Sequence, residues 1–255
     1  MTTKTWITKI GFILVAQLIA FSSFAAESLL QQAEQAYKTE NYDQAVAMYD
    51  SILKIKGPSA EVYYNLGNAY YKLGKIAPSI INYERALRQD PGDSDIRFNL
   101  NMANQRTVDK IEPVGEFFLK TWSEALQNKG ALDSWAKLGV VCFLLFLLCA
   151  ALYVFTRKVR LKQIGFFVGV LCLHVVFIAN IFASQQKKKI IDHKAAIIFA
   201  PTVTIKSTPD GSGTDLFVLH EGTKVSVKST LGEWKEIELV DGNVGWIPSA
   251  DIQAI

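Results

Sequence analysis

The stretch YNLGNAYYKLG, Tyr64 to Gly74, sets a small residue, Gly67, where a free-standing amphipathic helix wants bulk, with aromatics just beyond. A similar arrangement occurs earlier in the chain. EQAYKTENYDQAVAMYDSILKIKG, Glu34 to Gly57, aligns with NAYYKLGKIAPSIINYERALRQDP, Asn68 to Pro91. In that register Ala33 falls on Gly67, Tyr37 on Tyr71, Ala45 on Ser79, Tyr49 on Tyr83 and Gly57 on Pro91.

A constant offset with this alternation, from Ala33 to Gly67 and from Tyr49 to Tyr83, is the tetratricopeptide signature. Each unit is a pair of antiparallel helices. Gly67 and Ala45 sit where backbones approach, Tyr49, Tyr70 and Tyr83 fill the space around them, and Gly57 and Pro91 end the second helices. The pattern predicts repeats over 26–59 and 60–93. Two units rarely stack stably alone. A third start, SDIRFNLNMANQR, brings Asn99 to the place of Asn65 one period on but has Asn101 where Gly67 would be, so 94–107 reads as a closing helix within a repeat domain of 26–112.

Outward from the repeats, the chain is a multidomain membrane protein. Its 255 residues are half hydrophobic and its mean hydropathy is +0.17, which points to membrane segments. Residues 1–25 read as a signal peptide: Lys4 and Lys9, an apolar run from Ile10 to Phe21, then Ser23 and Ala25 at the small-residue cleavage positions. After Pro113, residues 113–137 form an amphipathic linker with Phe118, Trp122, Ala125 and Leu126 on one helical face. It either covers the open end of the repeats or lies along the membrane surface. The apolar runs within 138–156 and 163–184 each reach across about 30 Å of hydrocarbon at about 1.5 Å per residue. The loop 157–162 between them carries Arg157, Lys158, Arg160 and Lys162 and belongs in the cytoplasm. The repeats and the C-terminal unit then share the exported side of the inner membrane. Lys187, Lys188 and Lys189 run against this charge rule.

Residues 190–255 carry five short β-rich runs separated by turns at Pro209–Gly213, Gly222, Gly232 and Asp241–Gly242. They predict a small all-β barrel. The Pro209 turn, Gly222, Trp234 and GWIPSADI, Gly245 to Ile252, make the unit resemble the bacterial SH3-like domain.

The sequence carries no nucleophile elbow, phosphate-binding loop, zinc-protease motif or C-x-x-C pair. Cys142, Cys149 and Cys172 lie in apolar runs with no metal-ligand spacing. The expectation is a non-enzyme with no cofactor and no metal. The repeat domain has ten basic and twelve acidic residues and the C-terminal unit five and nine, with no basic aromatic face for nucleic acid. His174 and Asn180, inside the second span, read as helix-contact residues, with proton relay the alternative for His174.

The candidate site is the repeat groove, lined from the first helix of each pair. Tyr64, Asn65, Asn68, Tyr71, Lys72 and Asn99 point towards it. Amides and a lysine on a curved wall suit an extended peptide backbone or its terminal carboxylate. In the barrel, Trp234 and Trp246 either pack in the core or form a groove for peptide or cell-wall peptidoglycan.

The order signal, repeats, hairpin, barrel, together with RFNLNMANQRTVDKIEP, Arg97 to Pro113, resembles BatE, the tetratricopeptide branch of the Bat aerotolerance operon family. That resemblance implies a membrane-anchored scaffold linked to oxygen tolerance or envelope stress. It implies protein partners among von Willebrand A-domain membrane proteins and a MoxR-type ATPase. It assigns no catalytic residue.

Overall fold

The computed structural model describes residues 28–112, 115, 118–191 and 194–255. The signal segment expected over 1–25 lies outside them. The described residues fall into two compact units.

The first unit joins the chain up to Ala86, Ser94–Glu112 and Ala195–Ile255. It begins with five helices: α1 over 28–38, α2 (Tyr42–Lys56), α3 (Ala60–Lys72), α4 (Ile76–Gln89) and α5 (Ser94–Asn104). α1 with α2 and α3 with α4 are the two repeats, and α5 follows as the closing helix. Ala33, Ala45, Tyr49, Leu66, Ala69, Ile80 and Tyr83 are almost wholly buried. Small residues let the backbones meet while tyrosines fill the gaps.

The repeat is written in the backbone as well. α3 ends in a Schellman motif: Gly74 N–H donates to Tyr71 O and Lys75 N–H to Tyr70 O, with Gly74 at φ +74°. α1 ends the same way one repeat earlier, with Glu40 N–H to Tyr37 O and Asn41 N–H to Ala36 O. There Glu40 occupies the left-handed position at φ 63°. Asn41 then caps α2 by accepting from Gln44 N–H.

The C-terminal part holds seven strands: β1 (Ala195–Ile198), β2 (Thr202–Lys206), β3 (Asp215–His220), β4 (Lys224–Leu231), β5 (Trp234–Glu238), β6 (Val244–Pro248) and β7 (Ile252–Ala254). They pair antiparallel in the order β3-β2-β6-β5-β4-β1-β7. β3 and β7 end this order, so the sheet is open where the sequence predicts a closed barrel of five strands. Of the two added strands, β1 has four residues and no polar–apolar alternation, and β7, with three, is too short to show one. Ile198, Ile205, Val225, Ile237 and Ile247 build the core on the inner face. Gly245 faces it too, where a β-carbon would stand 2.3 Å from Ile205 Cγ2.

The second unit contains α6 (Phe118–Gln127), α7 (Leu132–Phe155) and α8 (Val159–Ile191). α7 and α8 are both long and apolar enough to cross a membrane. They pack antiparallel through glycines. Gly139 lies beside Ala179, while Gly165 and Gly169 lie against Cys149. Arg160 and Lys162 fall in the first turn of α8, and Lys162 reaches back over the Tyr153 ring. In the apolar stretch, His174 Nδ1 meets Val170 O at 2.8 Å and Asn180 Nδ2 donates to Val176 O at 2.9 Å. Both polar side chains are thus bonded within their own helix.

Candidate functional site: a donor-lined groove in the repeats

α3 sets Asn68, Tyr71 and Lys72 along one face, and α5 brings Asn99 opposite them. With Tyr37, Tyr83 and Met102 they line an open cavity of about 180 Å³. Four of the six expected groove residues, Asn68, Tyr71, Lys72 and Asn99, therefore surround one space. Tyr64 stands behind it: its hydroxyl accepts from Asn99 Nδ2 at 3.0 Å. Asn65 is not among the lining residues.

The polar chemistry of the cavity follows from its inner bonds. Asn68 Oδ1 accepts from Tyr83 OH at 2.7 Å and from Asn99 Nδ2 at 2.8 Å. Both lone-pair positions of that oxygen are filled, which leaves the Asn68 amide N–H₂ as its remaining polar group. Burial, the largest cause, pushes the Tyr83 hydroxyl well above its usual pKa, so it stays a donor across the physiological range. Lys72 is exposed at the rim. Arg106 stacks its guanidinium 4.5 Å from the centre of the Tyr71 ring. The wall thus offers donors and positive charge, and matches a ligand rich in carbonyl or carboxylate oxygen.

Sequence reasoning missed Tyr37, Met102 and Arg106. For Tyr37 the signal was present, since it is the counterpart of Tyr71 in the first repeat. Met102 and Arg106 lie on and just beyond the closing helix, where the period fades.

The segment after α5 meets the sheet within the same unit. Asp109 accepts from His220 N–H at 2.7 Å, from Thr223 Oγ1 at 2.6 Å, and pairs with His220 Nδ1 at 2.8 Å. Burial raises the Asp109 pKa, but these bonds from Thr223 and His220 outweigh it and hold the carboxyl below its usual range. Beside it, Gly222 sits at φ +87°, and a β-carbon there would stand 2.7 Å from Thr107 Cγ2 and 3.2 Å from Ile80 Cδ1. Lys224 pairs with Glu84 at 2.7 Å, and Arg85 donates to Ala254 O at 2.9 Å. Ile111 packs on the sheet core. RTVDKI, residues 106–111, is therefore where the repeats join the sheet.

Trp234 and Trp246 lie on the outer face of the sheet and outside its core cluster. Trp234 pairs with Pro248 and Trp246 with Glu236, so all four side chains share one face of β5 and β6. Both indoles are half-buried there.

The helix pairs α1–α2 and α3–α4 with α5 make a tetratricopeptide-like helical region. Residues 60–93 match the family described as tetratricopeptide repeat, and residues 34–74 match the family described as TPR repeat. Sperm-associated antigen 1 of Rattus norvegicus is 27% identical over 79 residues, which cover 31% of this chain and 9% of that protein. The crystal structure of the Sgt2 TPR domain from Aspergillus fumigatus aligns at 15% identity and a TM-score of 0.31, covering 65% of this chain and 79% of that one.

Proposed function

We propose that this chain is a non-enzymatic, membrane-anchored scaffold that binds protein partners through its repeat groove. The observation that carries this reading is the donor-lined cavity at Asn68, Tyr71, Lys72 and Asn99, set in repeats whose ordinary role is protein–protein recognition. An extended peptide segment or a C-terminal carboxylate of the partner supplies the matching acceptors.

α7 and α8 serve as the anchor. The repeats precede the hairpin and the sheet follows it, yet both belong to one compact unit. Two segments that fold together lie on the same side of any membrane the hairpin crosses, which two spans allow. The cationic turn at Arg157, Lys158, Arg160 and Lys162 favours the cytoplasm for the hairpin tip. That leaves the repeats and sheet on the exported, periplasmic side of the inner membrane. Tethering partners there raises their effective concentration even where each contact is weak. The resemblance to BatE in residues 97–113 suggests an aerotolerance or envelope-stress complex, with von Willebrand A-domain membrane proteins as partners.

A second reading is a cell-wall sensor, in which the C-terminal unit is an SH3-like reader of peptidoglycan. The shared outer face of Trp234, Trp246 and Pro248 favours it.

Cross-linking in native membranes, followed by purification and mass spectrometry, tests both. The comparison is the full chain against Tyr71→Ala with Lys72→Ala, and against Trp234→Ala with Trp246→Ala. Loss of membrane-protein partners in the first variant alone supports the scaffold. Recovery of cell-wall material that only the second variant loses supports the sensor and overturns the groove.

A further inference from the structure

We infer that α6 lies in the lipid interface of the same membrane, with Leu119 and Trp122 sunk below the headgroups. This rests on the reading of α7 and α8 as spans.

Three observations within the second unit carry it. The first is the face itself. Leu119 and Trp122 share one side of α6 and are 51% and 66% exposed. Lys120, Thr121 and Glu124 occupy other sides of this short helix. A helix packed against protein would bury that apolar side. Here it is open, and an aqueous surface gives it nothing to cover.

The second is height along the hairpin. The end of α6 is clamped to α8 by a small polar network. Gln127 is buried, and its side chain donates to Phe182 O. Its carbonyl accepts from Gln186 Nε2 at 3.0 Å and from Trp135 Nε1 at 2.9 Å. Gln186 also donates to Gly130 O at 2.6 Å. Trp135 and Phe182 meet edge to face, with ring centroids 5.0 Å apart. The second apolar run ends in this same region, near Ala183. α6 therefore leaves the hairpin where hydrocarbon gives way to headgroups, and Trp135 sits at the depth that tryptophan favours.

The third is length and charge. α6 has ten residues, about 15 Å. A headgroup layer is only about 5–8 Å deep. Pointing straight outward from Gln127, the helix would carry Leu119, eight residues or about 12 Å away, past the headgroups into water. Lying in the plane, it keeps Leu119 and Trp122 at the acyl boundary. Lys187, Lys188 and Lys189 follow Gln186 at the same level and are exposed, which suits anionic headgroups. An interfacial role also accounts for three lysines on a side of the membrane where the charge rule does not expect them.

The experiment uses the full chain in vesicles of zwitterionic and anionic phospholipid, with Cys142, Cys149 and Cys172 replaced by alanine. Nitroxide labels are placed singly through Leu119→Cys, Trp122→Cys, Thr121→Cys, Val170→Cys and Leu231→Cys. Collision with oxygen is compared with collision with a water-soluble nickel chelate. Labels at 119 and 122 are expected to favour oxygen several-fold over the label at 121, at a depth between those at 170 and 231. If 119 and 122 match 231 while 170 reads lipid, the interfacial helix is wrong and the anchor stands. If 119 and 122 are shielded from both reagents, protein covers the face and the inference is again wrong. If 170 itself reads water, the anchor and the inference fail together.

Discussion

Tyr83 lies across the backbone of Gly67 so closely that a β-carbon on Gly67 would stand 2.7 Å from two of its ring carbons. Ser79 Oγ adds a hydrogen bond to Gly67 O at 2.9 Å. The tyrosine cannot retreat, since it is 1% exposed and its hydroxyl is bound to Asn68. Gly67→Ala should therefore destabilise the repeats by about 1–3 kcal/mol, the usual range for overpacking. Thermal melting of the full chain in detergent reads this directly. An unchanged melting temperature would mean that α3 and α4 do not pack this tightly.

Glu40 holds the left-handed backbone position that Gly74 holds in the second repeat. For a residue with a side chain that conformation costs roughly 1–2 kcal/mol, against roughly 0.5–1 kcal/mol of extra chain entropy lost by glycine. Glu40→Gly should raise stability by up to about 1 kcal/mol. A loss of stability would show that the Glu40 side chain does something its exposed position does not suggest.

Asp109→Ala removes the acceptor for three donors of His220 and Thr223. The expected cost is about 1–3 kcal/mol, because partly buried donors are left without partners. The pH dependence has a definite sign. The folded pKa lies below the usual value, so the contribution is present above the unfolded value of about 3.9 and is lost as pH falls through the lower folded value. Stability measured from about pH 5 downward should fall more steeply in the native chain than in Asp109→Asn. Parallel curves would remove Asp109 from the acid response.

Lys72→Glu reverses a rim charge of the groove at an exposed site. It should leave stability within about 0.5 kcal/mol, as surface substitutions usually do. Recovery of an acceptor-rich partner should drop several-fold. Equal recovery would point to a ligand that avoids this end of the cavity.

Much of this architecture is legible in the chain itself, and the physical reason differs by region. The repeats show because backbone approach demands a small residue and a facing aromatic at a fixed spacing, as Gly67 with Tyr83 illustrates. The long helices α7 and α8 show because an apolar run of that length has few other uses. The sheet is harder. β1 is a short apolar run, AAII, with no alternation, and β7 has only three residues. Half of the groove shows through residue type. Arg106 over Tyr71 does not, because it depends on where the chain turns after α5. The Asp109–His220 contact leaves no local trace, since its partners are 111 positions apart.

That distance has a consequence for how the protein is made. Synthesis delivers Asp109 long before His220 and Thr223, and both apolar helices lie in between. Until the last segment emerges, the carboxylate waits without its donors and Ile80 and Thr107 wait without Gly222. The junction between the repeats and the sheet therefore forms only after the last segment emerges. If α7 and α8 span a membrane, as proposed, completion of this unit requires the hairpin to be inserted and its trailing segment delivered to the same compartment. A chain stalled midway would display Ile80, Thr107 and Asp109 as an unfinished edge.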